Sequence, residues 1–160
     1  MIIEVAREYY NRDIVKYDAS TMYIFTDNTD RDSGTGLIDP NSWYSDKYGF
    51  NKHYPKVTSA VIRGLDNAYP ITTQHYYNKF RKGIYGRWND SDFDEFKLVI
   101  DDDFNEIIKN ANKVNRIVFP CGGFFETKIS NISKERTPKI YHYLYDKLRD
   151  FITYCFQYKK

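Results

Sequence analysis

Residues 67 to 120 carry the pattern that most limits the fold. "NAYPITT" (67–73) and "RIVFP" (116–120) are short runs of β-branched and aromatic residues. Between them Phe93, Phe96, Ile100, Phe104, Ile107 and Ala111 recur at helical spacing, which predicts an amphipathic helix over 92–112. Strand, helix and strand in that order form a crossover unit, the connection that parallel neighbours in one sheet require.

The rest of the chain extends the same alternation. "TMYIFT" (21–26) is a strand that stops at Asp27-Asn28. Pro55 suits a first helical position and Gly64 a stop, giving a helix of about 55–64. Ser91 with Asp94 resembles a capping box for the 92–112 helix. The last helix takes Thr137 as cap and Pro138 as first residue, with Ile140, Leu144, Leu148, Phe151 and Cys155 as its apolar stripe. The expected fold is a small three-layer α/β domain with a mainly parallel sheet. At 160 residues it forms one domain, with a core over 21–156. Residues 2–18 alternate roughly, and Asn11-Arg12-Asp13 reads as the turn of an N-terminal β-hairpin.

Charge and composition set limits on function. The net charge of +2 lacks the strong basic excess of nucleic-acid binders. Lys79, Arg81, Lys82 and Arg87, with Tyr85 and Trp88 among them, read as a solvated loop. No apolar run is long enough for a membrane span, and "MIIEVAREYYNRD" lacks the basic start and apolar core of a signal peptide, so a cytoplasmic protein is expected. Cys121 and Cys155 have no metal or disulfide spacing and are expected as reduced, buried thiols. His53, His75 and His142 are scattered, and no metal site is expected. Asp101-Asp102-Asp103 splay around a helix and read as a solvated face.

In open α/β sheets ligands enter beyond the carboxyl ends of the strands. Three polar loops fall there: Asp27 to Gly36, Thr72 to Gln74, and Cys121 to Thr127. Asp27 and Asn28 offer hydrogen bonds to a ribose or base, and Arg31 a cation for phosphate. Ser33, Gly34, Gly122 and Gly123 allow backbone amides to approach an anion. Neither glycine cluster is a Walker loop or a full dinucleotide fingerprint, and plain turn formation is the alternative for both. Arg63 pairs either with a ligand or with Asp66 or another nearby acid. The segment 27–54, with Trp43, Tyr44, Tyr48 and Phe50, is too long and aromatic for a linker.

"YIFTDNTDRDSGTG", "AVIRGLDNAYPITT" and "RIVFPCGGFFETKI" together resemble a group of tailed-phage proteins of the T4 type, over roughly residues 21–150. The wider succession is similar to Rossmann-like nucleotide sensors and, more distantly, to macro-type ADP-ribose binders. The resemblance implies a Rossmann-like phage accessory protein of the host cytoplasm that binds a small nucleotide-type ligand, to sequester or process a host molecule. It carries the ligand onto Asp27, Asn28, Arg31, Ser33, Gly34, Arg63, Thr72, Thr73, Gly122 and Gly123. Asp27-Asn28 stands where many sensors place Gly-Ser or Gly-Asn, and the aromatic segment 37–54 is atypical, so the resemblance names neither ligand nor cofactor. Two other readings stand beside it. One is a hydrolase of a phosphodiester or N-glycosidic bond with Asp27 as catalytic base. The other is a non-catalytic module gripping a host protein through 37–54 and 79–88.

Overall fold

The computed structural model describes residues 1–28, 59–75, 77–78, 84–85, 87–126 and 132–158. Its centre is a four-stranded parallel sheet of β1 (Ile2–Val5), β2 (Thr21–Asn28), β3 (Ala68–Gln74) and β6 (Arg116–Phe119), in the order β1-β6-β2-β3. A two-residue antiparallel pair, β4 (Tyr77–Asn78) and β5 (Ile84–Tyr85), lies apart from it. Three helices complete the described fold: α1 (Arg12–Lys16), α2 (Phe93–Ala111) and α3 (Pro138–Tyr158). β3 is an edge strand, which accommodates Pro70, a residue with no amide to donate to a ladder.

Alternation along the central strands divides the core into two layers. Met22, Ile24, Ile71, Ile117 and Phe119 join one apolar cluster with Phe96, Ile100, Phe104 and Ile107 of α2 and Ile140, Leu144 and Phe151 of α3. Tyr23, Phe25 and Val118 join the other, with Val15 of α1 and Ala60, Val61 and Ile62 of a 3-10 turn (Ser59–Ile62). Among the described residues the sheet is thus covered on both faces, by two long helices on one and by short elements on the other. Gly64, at φ 87°, ends the 3-10 turn in the left-handed region that glycine enters without strain. The turn occupies part of the helix expected over 55–64; residues 55–58 lie outside the described residues.

The N-terminal hairpin is not formed. β1 pairs in parallel with β6, in register Ile2↔Arg116 to Val5↔Phe119, so its partner lies more than a hundred residues away. Asn11 does not turn the chain back. Its side chain accepts from the amides of Asp13 (3.0 Å) and Ile14 (3.2 Å) and starts α1. This segment is welded to the core. Arg12 donates to the carbonyls of Val61 and Arg63, both at 2.8 Å, and Asn67 donates to Val15 O (2.8 Å) and Asp18 O (3.0 Å).

Two caps also differ from the sequence reading. At the start of α2 the reciprocal pair is Asn89 with Asp92, whose carboxylate accepts from the Asn89 amide at 3.1 Å, rather than Ser91 with Asp94. At α3 the Thr137 hydroxyl turns back to Ser133 O (3.2 Å), and Asp90 takes over, accepting from the amides of Lys139 (3.1 Å) and Ile140 (3.2 Å). A cap supplied from the loop before α2 couples the two helix starts. Asp90→Ala is expected to cost about 1 kcal/mol, the usual worth of an N-cap, seen as a lower urea midpoint with unchanged slope.

Tyr10 and Tyr23 meet edge to face, with ring centroids 5.4 Å apart, beneath the β1–α1 connection. Burial, then the hydrogen bond to Asp18, pushes the Tyr23 phenol up to about 12, and burial raises Tyr10 further. An unfolded phenol ionises near 10, so the stability these groups contribute is complete below about pH 10 and is lost as pH rises through about 12. Urea melts from pH 8 to 12 should show that decline, and Tyr23→Phe should make it shallower. An identical profile in the variant would exclude Tyr23 as a source.

Candidate functional site

β2 ends in "FTDN" and β3 in "ITTQ", and these two strand ends concentrate the buried polar side chains of the sheet: Asp27, Thr72, Thr73 and Gln74. The strands stay in register as far as Asp27↔Thr72, then shift by one residue so that Asn28 faces Gln74. Such an irregularity re-aims side chains where a ladder terminates. Ser59, from the 3-10 turn, accepts from the Thr26 amide at 3.0 Å and shares a second hydrogen bond with its hydroxyl.

Asp27 is 4% exposed and is held in two hydrogen bonds by Arg63, whose Nε donates to Oδ2 at 3.1 Å and whose Nη2 donates to Oδ1. The paired acid is thus Asp27 rather than Asp66. A planar guanidinium meeting a carboxylate this way fixes both groups in direction. On the other face Thr72 donates its amide (2.8 Å) and hydroxyl (2.7 Å) to Asp103 Oδ2, and Trp88 Nε1 donates to Thr72 O at 3.1 Å. Asp103 is buried, so the Asp101–Asp103 run is not a solvated face; only Asp102 is exposed. Asp101 accepts from Tyr143 and pairs with Lys147 at 2.9 Å; burial opposes its charge, yet these partners lower its pKa overall. Trp88 is fully buried and cannot belong to a solvated or gripping loop; Lys79, Arg81 and Lys82 lie outside the described residues.

Gln74, the last residue of β3, is 4% exposed, and its Nε2 has no hydrogen-bond partner among the described residues. Buried donors of this kind cost free energy unless something occupies them. His75 follows, its ring stacked on Trp88 with centroids 4.3 Å apart and planes 7° from parallel, and its Nε2 is 3.3 Å from Glu95 Oε2.

The third loop sits lower. β6 pairs with β2 only through Tyr23↔Val118, so its last residue, Phe119, is level with Ile24. Asp27 is three residues further along, about 10 Å at 3.3 Å per residue. Beyond the last pair, Tyr10 enters between the strands, with its hydroxyl donating to Ile24 O at 2.6 Å and lying 3.2 Å from Val118 O. Gly123, at φ 68°, closes a turn by donating its amide to Pro120 O at 3.1 Å, so this amide is used internally. A Cβ at Gly122 or Gly123 would meet nothing within 4 Å among the described residues. Cys121 is half-buried, more exposed than the sequence reading expects, while Cys155 is buried; the two do not form a disulfide.

Asp27, Arg63, Thr72 and Thr73 are therefore gathered at one end of β2 and β3, with the backbone of Asn28 beside them. Arg31, Ser33 and Gly34 lie outside the described residues, as does the segment 37–54. A cavity of about 430 Å³ opens elsewhere, between the β1–α1 connection and β6, and none of the expected site residues lines it.

A model of a family of unknown function, DUF7831, matches residues 5–147. The chain belongs to that family. The matched span runs from the last residue of β1 through α1, β2, β3, α2 and β6 into the first half of α3. Comparison with curated proteins and with solved structures gives no match. No helix among the described residues is long and apolar enough to cross a membrane.

Sequence reasoning missed His75, Asp92 and Glu95 as a group and Asp103 as a buried acid. Asp103 had a local signal: it lies three residues after Ile100 and four before Ile107, on the apolar stripe of α2. Asp92 and Glu95 share a helical face by their i,i+3 spacing, but nothing local joins them to His75.

Proposed function

We propose that this chain binds a small nucleotide-type ligand at the carboxyl ends of its parallel strands. The observation that carries the reading is the buried Gln74 Nε2, which has no hydrogen-bond partner among the described residues, set beside the polar strand ends of β2 and β3. The topology supports it. Ligands of parallel α/β sheets enter beyond the carboxyl ends of the strands, and β2 and β3 end side by side here. Gln74 Nε2 supplies a donor to a base carbonyl, ribose hydroxyl or phosphate oxygen. The Arg63–Asp27 pair ties the β2 end to the residue after the 3-10 turn; Arg31, Ser33 and Gly34, phosphate candidates from the sequence, lie outside the described residues. With the resemblance to tailed-phage proteins, the role is that of an accessory protein that sequesters or processes a host nucleotide.

Both Asp27 oxygens are engaged by Arg63, so binding is favoured over hydrolysis with Asp27 as base. Calorimetry against a panel of nucleotides, ADP-ribose and cyclic dinucleotides tests the reading. Wild type should bind at least one member. Gln74→Leu should abolish that binding while leaving stability unchanged or up by about 1 kcal/mol, since it removes a buried donor that makes no hydrogen bond among the described residues. No binding across the panel would overturn the proposal.

A further inference from the structure

The geometry points to a divalent-cation site formed by His75, Asp92 and Glu95. One ligand atom from each lies within 4.8 Å of the others, although the three residues come from the end of β3 and the start of α2. His75 Nε2 and Glu95 Oε2 are 3.3 Å apart. Two donors bound at the usual zinc distances of about 2.0–2.2 Å in tetrahedral geometry are separated by about 3.4 Å, so this pair already spans one edge of a coordination shell. The two edges that involve Asp92 are no longer than 4.8 Å.

The surroundings orient the donors. The imidazole is stacked on Trp88, which is fully buried, held by its hydrogen bond to Thr72 O, and packed edge-on against Phe96 of α2 at 5.2 Å. Asp92 is steered by the Asn89 amide, which donates to its Oδ2 at 3.1 Å. A metal ligand whose direction is set by neighbours binds with less loss of freedom. The positive end of the α2 dipole, roughly half a charge, opposes a cation here, and two full carboxylate charges outweigh it. One nitrogen and two oxygens suit zinc and neighbouring first-row divalent ions, and three protein ligands leave coordination positions for water or an oxyanion. His75 adjoins Gln74, so an ion here would stand beside the proposed ligand site, but the site does not depend on that reading.

The test is a titration of the full chain, stripped with chelator and without nucleotide, using zinc and then cobalt, followed by calorimetry and by cobalt visible absorption. Wild type should bind one equivalent of zinc, and His75→Ala and Glu95→Gln should each weaken binding about tenfold or more. The Glu95 side chain is 56% exposed, so Glu95→Gln keeps the fold, and circular dichroism checks both variants. Absence of stoichiometric binding by wild type, or equal binding by both folded variants, would overturn the assignment. In the latter case the ion sits elsewhere.

Discussion

Arg63→Ala lowers the stability of the folded chain by about 3–5 kcal/mol, the range for removing one partner of a buried ion pair. The side chains are 12% and 0% exposed, so solvent screens neither charge well. The variant takes away the guanidinium that faces both Asp27 oxygens, leaving the carboxylate charge in a site built around its partner. For a chain of this length the loss corresponds to a fall in melting temperature of roughly 6–20 °C. The informative comparison is the double variant Asp27→Leu with Arg63→Met. Removing both charges together avoids the stranded carboxylate, so it should be less damaging than Arg63→Ala alone. Thermal and urea melts of the single and double variants measure this. Equal losses in the two would mean that packing rather than charge holds the site.

Asp103→Ala is expected to cost about 3 kcal/mol. Its carboxylate is the acceptor for both the amide and the hydroxyl of Thr72, at 2.8 and 2.7 Å, and hydrogen bonds to a charged group are worth about 1.5–3 kcal/mol each. Asp103→Asn keeps one acceptor oxygen and should lose less. Asp102→Ala, on the exposed side of the same helix, should stay within about 0.5 kcal/mol of wild type. The three urea midpoints separate a buried tether between α2 and β3 from a solvated acid. A change at Asp103 as small as that at Asp102 would remove the tether from the account.

The elements themselves were legible in the sequence. The stripe from Phe93 to Ala111 gave α2 to within a residue at each end, because a helix repeats its apolar face every three to four residues and that period is written locally. "TMYIFT" and "RIVFP" read as strands because β-branched and aromatic residues run together in them, and their alternation with helices implied a mainly parallel sheet covered on both faces. The N-terminal segment was misread because its alternation is weak. Four strand residues followed by a five-residue helix carry little pattern, and a cap at Asn11 looks like a turn from sequence alone.

By itself, then, the sequence determined the class of the fold, the order of its main strands and helices, and the end of the sheet where polar residues collect. Tertiary structure decided who meets whom. The pairs Asp27 with Arg63, Thr72 with Asp103, Asp90 with the start of α3, and His75 with Glu95 each join different elements, at separations of 36, 31, 49–50 and 20 residues. Helical and strand periods report which face of an element is apolar, but they say nothing about which polar group will stand opposite once two elements pack. That choice is made by strand order and register, here β1-β6-β2-β3, which brings the ends of β2 and β3 together and leaves the glycine turn after β6 some three residues lower.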